Sequence, residues 1–475
     1  MTTSAKIEEV AVSEAAREIQ ELIVRARKAQ AQIEDYTQEQ VDELIRGMVW
    51  SCAQPGVAED LARHALEETR LGDYNGKFAK MFTKTRAALM DILPDKSVGI
   101  IEEDKERNII KIAKPAGVIG ALAPSTNPEA TPVIKGINAV KGRNAVIIAP
   151  HPRAKATNKL IVDRMRAALE KMGAPADLVI GIEEPTMDKT QELMKQCDLI
   201  LATGGPAMVK AAYSSGTPAF GVGAGNAVIT VDETADLKEA AEKIRISKIL
   251  DLAASCSSDN SVIGVEAIYD QLLEALIAEG GYLASRDEYR KIADVLWEDG
   301  HLNTDAIVQP PQVIGKMAGI DIPEDRKFII MPEDGVGPDH PYSGEKLSPI
   351  MAFYKVKDID EAVALTNEIQ EYQGKGHSCG IYSYSDENIL KLGMGTKTAR
   401  VMVNQPQAPS NSGNLWNGMR QTFSLGCGTW GNNSTCDNIN WRHLINVTWI
   451  SKPLEQPKVL PPDEELFGDV IGKLK

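Results

Sequence analysis

The sequence predicts an α/β protein built on parallel sheets. From residue 115 to 213, short apolar runs alternate with stretches of helical length, and a second alternation starts near residue 237. At 475 residues the chain is too long for one core, so two or three domains are expected. The regions are placed at 1–245, 246–440 and 441–475.

Residues 5–72 read as helices. Ile19, Leu22, Ile23 and Ala26, then Val41, Leu44, Ile45 and Met48, follow the spacing of one helix face. Residues 76–92 read as another helix. Ile100-Ile101 and Ile109–Ile112 read as strands around the polar turn Glu102–Arg107. Strands then follow at 117–122, 144–149, 178–182 and 199–203, with helices at 129–140, 154–172, 187–196 and 206–213. Such βαβ units place ligand-binding loops at the carboxyl ends of the strands, where Asn127, His151-Pro152 and Gly204-Gly205 fall. In the second region, helices are expected at 237–255, 266–279 and 359–369, and strands at 261–265, 328–331, 350–356 and 379–384. Residues 405–437 read as a long Gly/Asn/Ser-rich loop, followed by a strand at 445–450 and a Pro-rich tail.

The net charge of −15 argues against nucleic-acid binding. No apolar run reaches the roughly 18 residues of a membrane span, and Met1–Glu14 has no signal-peptide core. The six cysteines show neither CxxC spacing nor a disulfide framework, which suggests a reducing cytoplasm. The Asn-x-Ser/Thr matches at Asn432, Asn433 and Asn446 are then chance. The histidines show no metal-binding spacing, so no metal is expected.

Cys256 lies in the small, polar segment Ala253–Ser261, where a thiol is reachable. The competing reading is a buried structural cysteine. Asn127, between Pro124 and Pro128, is either a turn residue or a rigid amide donor. Thiol and amide together suit chemistry at a carbonyl. Thr203-Gly204-Gly205 joins a strand to a helix whose N-terminus could face a phosphate; a plain tight turn is the alternative. Gly426–Gly431 fits GxGxxG but lies in no βαβ unit and is rejected as a dinucleotide site. His377 is read as catalytic, as a substrate contact, or as simply bonded within its turn.

Taken in order, Asn127, His151-Pro152, Thr203-Gly204-Gly205, Gly221–Asn226, Cys256 and Glu345–Pro349 resemble the aldehyde dehydrogenase superfamily. Cys256–Val262 and Leu425–Ser434 are similar to its CoA-acylating branch. The resemblance implies a Rossmann-type cofactor domain at 1–245, a catalytic domain at 246–440 and oligomerisation strands, in a homodimer or homotetramer. It implies Cys256 as nucleophile and Asn127 in the oxyanion hole. It places Glu345 on the nicotinamide ribose, and Thr203, Gly204, Gly205 and Gly223 beside the cofactor.

Two departures from relatives are informative. Hydrolytic members carry a glutamate base where this chain reads Phe220–Asn226 without a carboxylate. Without a base water is a poor nucleophile, whereas a thiol needs less activation, so CoA is the expected acyl acceptor. The glycines there are also expected to leave room for it. The NAD-binding Lys-Pro-Ser-Glu of relatives is replaced by His151-Pro152-Arg153-Ala154, and Arg153 could pair with a 2′-phosphate. NADP is therefore expected beside NAD, with a solvent-facing arginine as the alternative.

The resemblance implies reversible ping-pong oxidation of a short aldehyde, sulfoacetaldehyde first; the polar run with Arg420 and amides such as Asn411 is expected to hold its anionic tail. Rivals are acetaldehyde, propionaldehyde or succinate semialdehyde as substrate, an acyl-phosphate reductase, and a catalytically dead scaffold. The short stretch before the first helix argues weakly against a microcompartment enzyme.

Overall fold

The buried runs pair into two separate parallel sheets. A computed structural model describes residues 13–474; the first residues, where a leader was looked for, lie outside them. The first sheet has five strands in the order Val179–Gly181, Ala145–Pro150, Val118–Ala123, Leu199–Thr203, Ala219–Val222. Its central strands Val118–Ala123 and Ala145–Pro150 are buried throughout, which is why they read as unbroken apolar runs. The crossover helices are Thr131–Lys141, Lys155–Lys171, Met187–Gln196 and Pro206–Tyr213, close to expectation.

The N-terminal helices Glu14–Gln32, Gln38–Ala53 and Val57–Thr69 pack on this domain. Ser13 caps the first through the Ala16 N–H, and Thr37 with Gln40 forms a capping box on the second. Ile19, Ile23, Ala26, Leu44, Ile45 and Met48 are buried in one core, Leu22 packs against it, and Val41 is buried as well. The helix expected at 76–92 is broken in two. Tyr74–Ala79 and Thr85–Ile92 flank a π-helical turn, Lys80–Lys84, a local widening that recurs at functional sites.

The second sheet has seven parallel strands: Gly281–Leu283, Phe328–Pro332, Ile350–Val356, Asp259–Val265, Ala227–Val231, Cys379–Tyr382, Val401–Val403. Ala227–Val231 pairs in this sheet, so the change of sheet falls between Val222 and Ala227 and not at residue 245. The expected end at 440 also shifts, because Ile439, Trp441 and Leu444 pack into the first core. The helix expected to reach 255 stops at Ile249, after which Asp251, Leu252 and Ala253 take left-handed φ values of 49°, 51° and 62°. A third, antiparallel sheet joins Gly99–Asp104, Ile109–Pro115 and Ile445–Ser451, leaving Val447, Trp449 and Ile450 exposed.

Trp441 ties the returning chain to the first domain. Its ring is buried, its Nε1 donates to Asp95 Oδ2 at 2.8 Å, and its backbone N–H donates to Asn138 Oδ1 at 2.8 Å. Trp441→Ala should therefore lower stability by about 3–5 kcal/mol in urea unfolding; a loss near zero would mean the return segment is not part of the core.

Candidate active site

A cavity of about 690 Å³ opens where the two parallel sheets meet, and Cys256 and Asn127 line it. Among the six cysteines, Cys52, Cys197, Cys379 and Cys427 are buried in packing, Cys436 is exposed, and Cys256 is part-open. Cys256 stands on the loop that enters Asp259–Val265, a central strand of the second sheet. Gly225 is required beside it: a Cβ there would lie 1.9 Å from the Cys256 carbonyl oxygen. That glycine makes way for the cysteine loop and not for a second substrate. Gly223 does line the cavity.

His377 is buried, and its Nε2 lies 3.2 Å from Cys256 Sγ. Its Nδ1 lies 2.9 Å from Ser378 Oγ, and Arg400 Nη1 donates to its carbonyl at 2.9 Å. The tautomer that donates Nδ1–H to Ser378 Oγ has Nε2 free to accept the thiol proton. Burial, with Arg400 nearby, pushes the imidazole down to about 3, so it is neutral. Burial, with Glu345 and Cys427 nearby, pushes the Cys256 thiol up to about 12. Glu345 also lines the cavity, and burial pushes its carboxyl up to about 8.

Asn127 is held by a buried ionic cluster. Lys80 Nζ donates to Asn127 Oδ1 at 2.5 Å and also binds the Asp251 carboxylate. Lys77 Nζ reaches Asp251 Oδ2 at 2.9 Å and the Thr126 carbonyl at 2.6 Å. The Asp73 N–H donates to Asp251 Oδ1 at 2.8 Å. Gly72, at φ +84°, must lack a side chain, since a Cβ would lie 1.8 Å from that same oxygen. Burial works to raise the Asp251 carboxyl, but Lys80 and Lys77 hold it below its usual range. With Oδ1 committed to Lys80, the Asn127 amide is fixed with Nδ2 as its donating side.

Thr203, Gly204 and Gly205 also line the cavity, where Leu199–Thr203 turns into Pro206–Tyr213. A Cβ at Gly205 would meet nothing within 4 Å, so the backbone here is open to a ligand. His151 and Pro152 line the cavity as well. Arg153 is exposed, with only a 3.5 Å approach to the Thr69 carbonyl.

Two expected substrate contacts are corrected. Arg420 does not line the cavity; its Nη1 donates to the Asp91 carbonyl at 2.8 Å and its Nη2 to Asp95 at 3.1 Å. Asn411 is fully buried, and its Nδ2 donates to Ser257 Oγ at 3.1 Å behind the cysteine loop. Lys77, Lys80, Lys84, Asp251 and Arg400 were not singled out by the sequence. The lysine spacing in Lys77–Lys84 was its only trace.

The sequence model of the aldehyde dehydrogenase family matches residues 2–291. The chain is 44% identical over 462 residues to an acylating sulfoacetaldehyde dehydrogenase of Bilophila wadsworthia, covering 96% of this chain and 99% of that one. A crystal structure of an acetylating aldehyde dehydrogenase from Geobacillus thermoglucosidasius superposes with a TM-score of 0.90 at 37% identity, covering 94% of this chain and 98% of that one. A propionaldehyde dehydrogenase from Rhodopseudomonas palustris, solved with bound propionyl-CoA, superposes with a TM-score of 0.81 at 27% identity, covering 91% and 94%.

The raised thiol has a measurable sign. Below its pKa, the thiolate fraction grows about tenfold per pH unit. Iodoacetamide labelling of Cys256 in the free protein, followed by peptide mass analysis, should therefore keep rising from pH 7 to 9. A plateau below pH 8 would mean a thiol pKa lowered by its surroundings.

Proposed function

The chain belongs to the aldehyde dehydrogenase family, and from that premise we propose that it oxidises sulfoacetaldehyde to sulfoacetyl-CoA through a thioester on Cys256. The observation that carries this reading is the 3.2 Å approach of Cys256 Sγ and His377 Nε2 at the cavity.

His377 accepts the thiol proton as the Cys256 sulfur attacks the carbonyl carbon. The C–S bond forms and the carbonyl π pair moves to oxygen, where Asn127 Nδ2 and the Cys256 N–H donate to it. Lys80 has already fixed which way that amide faces, so no reorganisation is needed as charge develops. A nicotinamide bound in this cavity would supply the hydride acceptor that oxidation of the thiohemiacetal to the thioester needs. Gly204-Gly205 and the helix after them would hold its phosphates, and Glu345 its nicotinamide ribose. His377 gives up the proton it took from Cys256 to solvent before CoA enters. The CoA thiol then attacks the thioester carbon and gives its proton to His377, and the Cys256 thiolate leaves and takes that proton back.

Water is disfavoured as acceptor. Glu345 is the one carboxylate among the described residues lining the cavity, and burial keeps it protonated at neutral pH. Residues 220–226 carry none. A protonated carboxyl cannot take a proton from water, while a thiol is already a few per cent thiolate at neutral pH.

Arg153, exposed and loosely held, supports use of NADP beside NAD. The exposed Val447, Trp449 and Ile450 support self-association of the antiparallel sheet into a homodimer or homotetramer. The six free cysteines fit a cytoplasmic setting. Among the described residues no helix is long and apolar enough to cross a membrane.

Reduced-nicotinamide absorbance with sulfoacetaldehyde should rise only when CoA is present and should be lost in Cys256→Ser. Turnover without CoA would assign the acyl group to water or phosphate. CoA-dependent turnover of acetaldehyde or succinate semialdehyde alone would keep the class and discard the sulfonate. In the same assay, Arg153→Ala should raise KM for NADP about tenfold while sparing NAD; equal effects on both would return Arg153 to a surface role.

A further inference from the structure

The π-helical turn Lys80–Lys84 brings two lysines to the cavity wall in different company. Lys80 faces a carboxylate, Asp251. Among the described residues, Lys84 faces none within ion-pairing distance. Its Nζ donates to the Ser412 carbonyl at 2.7 Å, to Gln421 Oε1 at 2.7 Å, and to the Gly413 carbonyl. All three acceptors are neutral. The acid that acts on it most, Asp91, is engaged by Arg420. A largely enclosed ammonium without a counter-ion is costly, and burial pushes Lys84 down to about 7.

We propose that Lys84 supplies the countercharge for the anionic tail of the aldehyde, a sulfonate or carboxylate, and so sets the preference for anionic over plain short aldehydes. The inference rests on the acylating reading of this same cavity. It gives the role expected of Arg420 to a residue that does line it. An anion in the cavity restores the missing charge partner, and in a site shielded from water that attraction is strengthened. The neutral acceptors fix the ammonium in place without cancelling its charge. Gln421 lines the cavity beside it, and with Oε1 committed to Lys84 its donating side is Nε2. Thr83, on the same turn, adds a hydroxyl to the wall.

The test compares sulfoacetaldehyde with acetaldehyde, with CoA and nicotinamide saturating. Lys84→Met should cut the kcat/KM ratio of the two substrates by about 50-fold, mostly through KM for sulfoacetaldehyde, and Lys84→Arg should restore most of it. An unchanged ratio, with both substrates losing equally, would overturn the inference and leave the acylating reading standing. Wild-type protein supplies a second measurement that needs no variant to fold. Ethanesulfonate should compete with acetaldehyde at least tenfold more strongly than the neutral ethyl methyl sulfone. Equal inhibition by the two would overturn the role of Lys84. Absence of CoA-dependent turnover on every aldehyde would instead overturn the reading on which it rests.

Discussion

Asp251 is the point at which the two halves of the site are joined. Its carboxylate is buried and shared between Lys77 and Lys80, which come from the helical segment far upstream. Lys80 fixes the Asn127 amide, while the chain running on from Asp251 reaches Cys256 five residues later. The geometry has a cost, because Asp251, Leu252 and Ala253 are all left-handed. Each such residue costs of order 1 kcal/mol or more. Breaking a buried pair by removing one partner costs about 3–5 kcal/mol. The ionic contacts therefore oppose relaxation of the strained turn, since releasing Asp251 would leave buried lysines unpaired. The requirement for bare glycines at 72 and 225 follows from the same close packing.

Enclosure then determines what each group can do. Cys256, His377 and Glu345 are all driven towards their neutral forms, the first with Glu345 and Cys427 adding to burial. A neutral thiol against a neutral imidazole is a proton donor facing an acceptor, suited to act only when a carbonyl arrives. The two lysines of the π turn divide by their neighbours: Lys80, paired with Asp251, positions an amide, and Lys84 is bonded to neutral acceptors.

Much of the fold was legible because buried parallel strands are uninterrupted apolar runs and their crossover helices keep a 3.6-residue period. That is why 117–213 was read closely. Ala219–Val222 and Ala227–Val231 were hidden because the glycine-rich stretch between them masks two strand ends. The helix Arg286–Leu296 carries a readable start signal in the sequence, the capping box of Ser285 and Glu288. The π turn and the left-handed turn have no periodic signature, since long-range contacts of single side chains impose them. Of the candidate site, the sequence brought forward Cys256, Asn127, Glu345 and the Gly204-Gly205 turn, and all of them line one cavity. It offered three readings of His377, and its place on the Cys256 sulfur is set by residues 121 positions apart. Arg420 looked free because Asp91 and Asp95, its partners, are more than three hundred residues away.

The central claim is a thioester on Cys256 that waits for CoA. Intact-mass spectrometry of the protein mixed with sulfoacetaldehyde and oxidised nicotinamide, without CoA, tests it directly. One sulfoacetyl group, mapped to the Cys256 peptide, should persist until CoA is added and then disappear. Turnover with no such adduct, or an adduct that water removes as fast as CoA does, would contradict it.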